Sequence, residues 1–256
     1  SIGTKLKIDS RINSLNEVIL FVEMFDKNCY IVESATKISV NVKESYFPQL
    51  NDQQDLEVTR IWEDALNYKT LHDGQVLYYL NHVSDQGSIF VNAFWGPYRY
   101  FYSRLQDPSL RIDFVPLSVS GICRSRRGLV LIAKRENVTE YETRTELVPS
   151  GGINASVQKG IFVDFKRQLV QELIEETSLT ESSLSTVNEI GIIKDTNNNV
   201  VDLCCSLDLY DNVKLNSELS TEYSCLSWVD VNDLSHDELI PTSLGVLNLS
   251  KNSGVL

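Results

Sequence analysis

Glu172, Glu175 and Glu176 have the spacing with the most chemical meaning in this chain. At i, i+3 and i+4 their carboxylates share one flank of a helix, spanning about 100° of its circumference. Phe162, Leu169, Val170 and Leu173 define another flank, which would bury against a sheet. An oxygen-rich cluster of this kind suits a hard cation such as Mg²⁺ or Mn²⁺, which keeps waters and bridges to substrate phosphates. The same spacing alone also describes a solvated acidic face. The Gly151-Gly152 pair upstream and the strands around it favour a site.

Those carboxylates need a scaffold. Apolar, β-branched runs at 114–123 and 129–135 read as buried strands, with a short strand at 146–149 leading into the glycine pair and a polar loop. A helix is expected over 161–177, then strands at 187–194, 200–210 and 225–231 and a short helix near the end of the sequence. Upstream, short strand signals at 18–22 and 38–42 read as a small β layer. Leu56, Ile61, Trp62 and Leu66 predict an amphipathic helix over 54–68 whose aromatic edge packs on the sheet. Strands at 75–83 and 88–95 are joined by the turn formers Ser84-Asp-Gln-Gly87. The polar segment 106–109 marks a boundary, giving a β-rich region with one helix over 1–106 and a second unit over 107–256. The pattern is α+β, without alternating βαβ units.

Composition limits what such a protein binds. With 256 residues, 42% hydrophobic and 23% charged, the chain can bury a full core. A formal charge of −12 and a pI near 4.7 repel a polyphosphate backbone, so no nucleic acid is expected, although a bound cation can reverse the local field for a small phosphorylated ligand. Five scattered cysteines without a C-x-x-C pair read as buried reduced thiols. Nothing resembles a signal peptide or a membrane span, so a cytoplasmic location is expected and no membrane partner. The three histidines form no ligand spacing, and no G-x-S-x-G or Cys/His signature supports covalent catalysis. Oligomeric state is not legible.

The run from Val148-Pro-Ser-Gly-Gly-Ile-Asn154 to Gln171-Glu-Leu-Ile-Glu-Glu-Thr-Ser-Leu179 resembles the Nudix box, G-x5-E-x7-R-E-U-x-E-E-x-G-U, where U is bulky and apolar. Under that resemblance Glu172 matches the acid after the family arginine, and Glu175 and Glu176 match the metal-binding pair. Leu173 and Leu179 match the apolar positions, and Gly151 and Gly152 match the paired glycines, with the Gly152 carbonyl the better placed to join the metal. The chain departs from the pattern at Gln171, in place of the arginine, and at Ser178, in place of the later glycine. The interval from Gly152 to Gln171 also exceeds the family spacing, so the first box glutamate falls on Val163 or Gln158. The missing acid and arginine usually form an ion pair, and losing both leaves no buried charge alone. Ser178 is tolerable where the chain does not need a positive φ.

The resemblance implies a Nudix fold, a mixed sheet between helices, here with an N-terminal β-rich extension. It implies Mg²⁺ or Mn²⁺ held by Glu172, Glu175, Glu176 and Gly152, and metal-assisted substitution at phosphorus. Glu175 or Glu222 is the candidate base, with Glu218 the rival of Glu222. Arg135, Lys134 or Lys159 would reach a phosphate oxygen, with Gly151 nearby.

The segments Ile61-Trp-Glu-Asp-Ala-Leu66 and Gly96-Pro-Tyr-Arg-Tyr-Phe101, the Asp107-Pro108 turn and the enlarged loop look like the UDP-glucose diphosphatase branch. That branch implies a small nucleoside diphosphate substrate, UDP-glucose or UDP-galactose, giving UMP and hexose 1-phosphate. Tyr98, Tyr100, Phe101 and Tyr102 offer faces for a uracil ring, although alternating aromatics also serve packing. Two alternatives stay open: a Nudix hydrolase of ADP-ribose, a dinucleotide or coenzyme A, and a nucleotide-binding module without turnover.

Overall fold

In the computed structural model, β-branched and apolar runs pair into a mixed sheet and amphipathic runs form the helices that cover it. Residues 23–26, 29–46, 49–136, 141, 143–210, 215 and 223–256 are described. The expected strand at 18–22 lies outside them. The first half contains β1 (Glu23–Asp26), β2 (Cys29–Ser34), β3 (Lys37–Val42), α1 (Asp52–Leu66), β4 (Gln75–Asp85), β5 (Ser88–Pro97) and α2 (Tyr98–Gln106). Then come β6 (Val115–Arg124), β7 (Val130–Arg135), β8 (Thr145–Leu147), β9 (Ser150–Gly152), β10 (Gln158–Lys159), β11 (Phe162–Val163) and α3 (Phe165–Thr177). The last elements are β12 (Leu184–Asp195), β13 (Val200–Leu209), β14 (Tyr223–Val229) and α4 (Pro241–Asn252).

The sheet is mixed. β6 and β13 run parallel at its centre, and β13 pairs antiparallel with β12, which in turn pairs with β2. Strand alternation sends Val119 and Cys123 of β6, with Leu203, Cys205 and Leu207 of β13, into one core with Phe165, Leu169 and Leu173 of α3. Ile122 and Cys204 point the other way, joining Ile193 and the Val246, Leu247 and Leu249 side chains of α4. The architecture is therefore the expected α+β one, a mixed sheet between helices, preceded by a β-rich extension. The extension's β4 pairs with the first residues of β6, and its β2 lies along β12.

Turn and cap chemistry fixes the connections. Asn51 and Gln54 form a reciprocal capping box at the start of α1, each side chain accepting from the other's backbone N–H. Gln86 and Gly87, both at positive φ, make the tight turn of the β4–β5 hairpin. Trp62 of α1 meets the edges of Tyr98 and Tyr102, so the aromatic edge of this helix packs on α2 and not on the sheet. The helical spacing of Tyr98, Phe101, Tyr102 and Leu105 explains why the aromatic stretch forms α2, an element the sequence reading lacked. Arg104 anchors α2 by donating to the carbonyls of Phe114 and of Asn198 and Asn199 in the β12–β13 turn.

Two departures from expectation concern α3. The helix starts at Phe165, capped by Asp164, because residues 158–163 form the β10–β11 hairpin. Phe162 consequently lies in β11, more than half exposed, and Phe165 takes the buried place assigned to it. At the other end Ser178 has φ 58° and ψ 15°, a left-handed cap that the chain does need. An L-residue with a Cβ pays roughly 1 kcal/mol there, so Ser178→Gly is expected to raise stability by about 0.5–1 kcal/mol. Chemical denaturation measures this; an unchanged or lower midpoint would sink it.

Of the five cysteines, Cys29, Cys123, Cys204 and Cys205 are buried thiols outside any disulfide, and Cys225 is exposed. Burial pushes the Cys123 thiol up to about 12, which keeps it protonated and unreactive. Among the described residues no helix is long and apolar enough to cross a membrane.

Candidate active site

α3, β9 and the start of β6 line a cavity of about 610 Å³, inside the ~300–1,000 Å³ range of small-molecule sites. Glu172 and Glu175 project into it from α3, Gly151 and Gly152 from β9, and Arg135 from the end of β7. Tyr98 and Phe101 of α2 complete it from the extension. The structure thus gathers Glu172, Glu175, Gly151, Gly152, Arg135 and Tyr98 around one space. Tyr100 is not in that lining and packs against Phe114, ring centroids 5.5 Å apart. Glu222 and its rival Glu218 lie outside the described residues.

Gly151 lies in close contact with the Glu172 carboxylate. A Cβ there would fall on the Glu172 carboxyl carbon and lie 2.6 Å from its Oε1. Gly152 has nothing within 4 Å of such an atom. The Glu172 carboxylate therefore sits directly on the β9 backbone, paired across the sheet to β6. Gln168, one turn earlier, holds it there: its Nε2 donates to Glu172 Oε1 at 2.6 Å, and its Oε1 accepts from the Asn154 N–H at 2.9 Å. Sequence reading missed Gln168. Its i, i+4 offset from Glu172 was the available signal.

Glu176 is placed differently from its neighbours. Its i+3 offset from Leu173 turns it toward the core, where it is 6% exposed and accepts from the Tyr223 hydroxyl at 2.8 Å. The same hydroxyl lies 3.2 Å from Glu146, which is 3% exposed and ion-paired with Arg135. Burial, then the charges of Glu146 and Glu176, push the Tyr223 phenol well above its ordinary range, so it stays protonated as a donor.

Glu146, Asp195 and Asp202 add acids to the lining that the sequence reading did not single out. Ser120 donates to Asp202 at 2.9 Å and Tyr141 to Asp195 at 2.8 Å. Burial raises the Asp195 carboxyl above its usual range, opposed by the Tyr141 hydroxyl and by backbone N–H groups of Asn197 and Asn198. Lys134 is exposed on β7, and Lys159 pairs with the helix cap Asp164 at 3.1 Å. Neither lines the cavity.

Among the described residues, no three His, Cys, Asp or Glu side chains stand close enough together to cage a cation. Mg²⁺ does not need such a cage, since it keeps several waters and takes one or two carboxylates with substrate phosphates. A carboxylate seated where a Cβ would be, with a second acid one turn away on the cavity wall, fits that mode.

No protein-family profile matches the chain, and no curated protein does. Among solved structures it is similar to the MutT protein from Methanosarcina mazei Go1, at 20% identity over 54% of this chain and 92% of that one, TM-score 0.38. The NUDIX domain of Shewanella oneidensis NrtR, complexed with ADP ribose, aligns at 15% identity over 59% and 96%, TM-score 0.44. A bifunctional NMN adenylyltransferase/ADP ribose pyrophosphatase from Francisella tularensis, complexed with AMP and Mn ion, aligns at 11% identity over 60% and 46%, TM-score 0.45. At these scores the likenesses add nothing to what the cavity's own residues say about chemistry.

Proposed function

We propose that this protein is a divalent-metal-dependent hydrolase of the Nudix type that cleaves the diphosphate of a nucleoside diphosphate derivative. UDP-glucose or UDP-galactose is the substrate proposed first. The observation that carries the reading is the Glu172 carboxylate lodged against Gly151 in a cavity shared with Glu175, Arg135 and Tyr98. A side chain at 151 would displace the Glu172 carboxylate from its place on the cavity wall.

Glu172 and Glu175 on the cavity wall, together with the Gly152 carbonyl and Glu176, which does not itself line the cavity, are the residues proposed to hold the metal. A bound Mg²⁺ or Mn²⁺ supplies neutralisation of the diphosphate charge and a lowered pKa for an attacking water. Arg135, held by Glu146, orients a phosphate oxygen. Tyr98 offers a ring face to the base. Glu175 or Glu222 removes the proton from the attacking water. The products from a UDP-hexose are UMP and hexose 1-phosphate.

The test is incubation with Mg²⁺ and a panel of UDP-glucose, UDP-galactose, ADP-ribose, NADH and coenzyme A, with products separated by chromatography. UMP and hexose 1-phosphate support the full proposal. A different nucleotide product retains the reaction and replaces the substrate, whereas saturable nucleotide binding without turnover makes the chain a binding module. Gly151→Ala is expected to lower metal-dependent turnover by about 10- to 100-fold, because it unseats Glu172. Gly152→Ala should be the milder change; equal activity of Gly151→Ala and the parent protein would remove the structural support for the site.

A further inference from the structure

We infer that Tyr223 is a positioning residue that ties Arg135, on the cavity wall of the proposed site, to Glu176 on the core side of the helix proposed to hold the metal. The inference rests on the hydrolase reading but is carried by a different set of contacts. Arg135 Nη1 contacts Glu146 Oε2, the Tyr223 hydroxyl lies 3.2 Å from that same oxygen, and it donates to Glu176 Oε1 at 2.8 Å. Ser150 donates to the remaining Glu146 oxygen. One continuous chain of polar contacts thus runs from the cavity wall at β7, through β8 and β14, to the core side of α3.

Glu146, Tyr223 and Glu176 are all buried. Two carboxylates side by side at low dielectric repel strongly unless donors stand between them. The guanidinium serves Glu146, and the phenol serves the gap between the two acids. The Tyr223 ring is buried in the same apolar core that holds Leu169 and Leu173, so its oxygen has little freedom to follow either acid. The acids must come to it. With Glu176 Oε1 committed to the phenol, the orientation of the rest of that carboxylate is set, and Glu146 sets Arg135 by the same arrangement.

The test is Tyr223→Phe, which removes one oxygen and keeps the ring. Mn²⁺ binding to the otherwise metal-free protein is followed by electron paramagnetic resonance, with circular dichroism and thermal unfolding on the same samples. The expected result is an Mn²⁺ affinity lowered by about tenfold in a protein that remains folded. Steady-state kinetics on whichever substrate is turned over should show a fall in kcat at least as large as any rise in KM. If Tyr223→Phe alone does not yield folded protein, the comparison is repeated in the Ser178→Gly background. Folded Tyr223→Phe protein that binds Mn²⁺ within twofold of the parent overturns the inference and leaves the hydrolase reading standing. Failure to fold in either background makes Tyr223 a packing residue and also overturns it. A parent protein that binds no Mn²⁺ and hydrolyses none of the panel overturns the hydrolase reading itself, and with it the role given to Tyr223.

Discussion

Glu172→Gln is expected to lower kcat by about 10³-fold while the apo protein becomes no less stable. The substitution keeps the side-chain shape against Gly151 and removes only the charge. Glu175 and Glu176 stand at i+3 and i+4 from Glu172, and like charges at such offsets destabilise a helix by roughly 0.2–0.5 kcal/mol per pair. Relieving them should hold or slightly raise the unfolding midpoint. Lost turnover in a fold of equal or greater stability is the mark of a residue retained for chemistry and not for packing. Thermal unfolding and single-turnover assays on the same preparation separate the two quantities. Activity within tenfold of the parent would exclude Glu172 as the proposed metal ligand.

Gly191→Ala is expected to be the most damaging single-methyl change for the fold. Gly191 sits at a register shift where β12 threads between β2 and β13, with φ 144°, a conformation open to glycine and strained for any L side chain. An added Cβ would run into the Glu33 carbonyl oxygen of β2 and lie 2.9 Å from the Ser34 Cα. Those are backbone atoms paired into the sheet, so neither can swing aside as a side-chain tip could. A loss of roughly 3 kcal/mol or more follows from combined strain and clash. Urea denaturation of the purified variant provides the number; a loss below about 1 kcal/mol would mean that β2 yields easily at that edge.

Much of the scaffold was legible because its strands are apolar runs bounded by turn formers, and observed β4, β5, β6, β7, β12 and β13 lie close to their expected limits. The acids of α3 were legible because they break a helical apolar repeat. Glu146, Asp195 and Asp202 were not, because each stands within or at the end of a strand and reads as its polar alternate; only tertiary structure turns them into a cavity. Glu176 illustrates the limit of spacing arguments. Helical periodicity put it on the acidic flank, but a flank about 100° wide reaches the core boundary, and β14 supplies the phenol that makes burial tolerable. α2 was missed because Tyr98, Tyr100 and Tyr102 alternate as a strand would while Tyr98, Phe101 and Leu105 repeat as a helix does, and two residues of period information cannot separate the two.

The segment between Gly152 and α3 has a consequence for the sheet. It forms the β10–β11 hairpin, whose Phe162 pairs with Asn41 while the Ile161 carbonyl accepts from the Val42 N–H, so it covers the last residues of one edge of β3. An uncovered edge of β-branched residues is a template for strand addition from another molecule. The hairpin therefore occupies the end of β3 at which another strand could otherwise add, while presenting Ile161 and Phe162 to solvent.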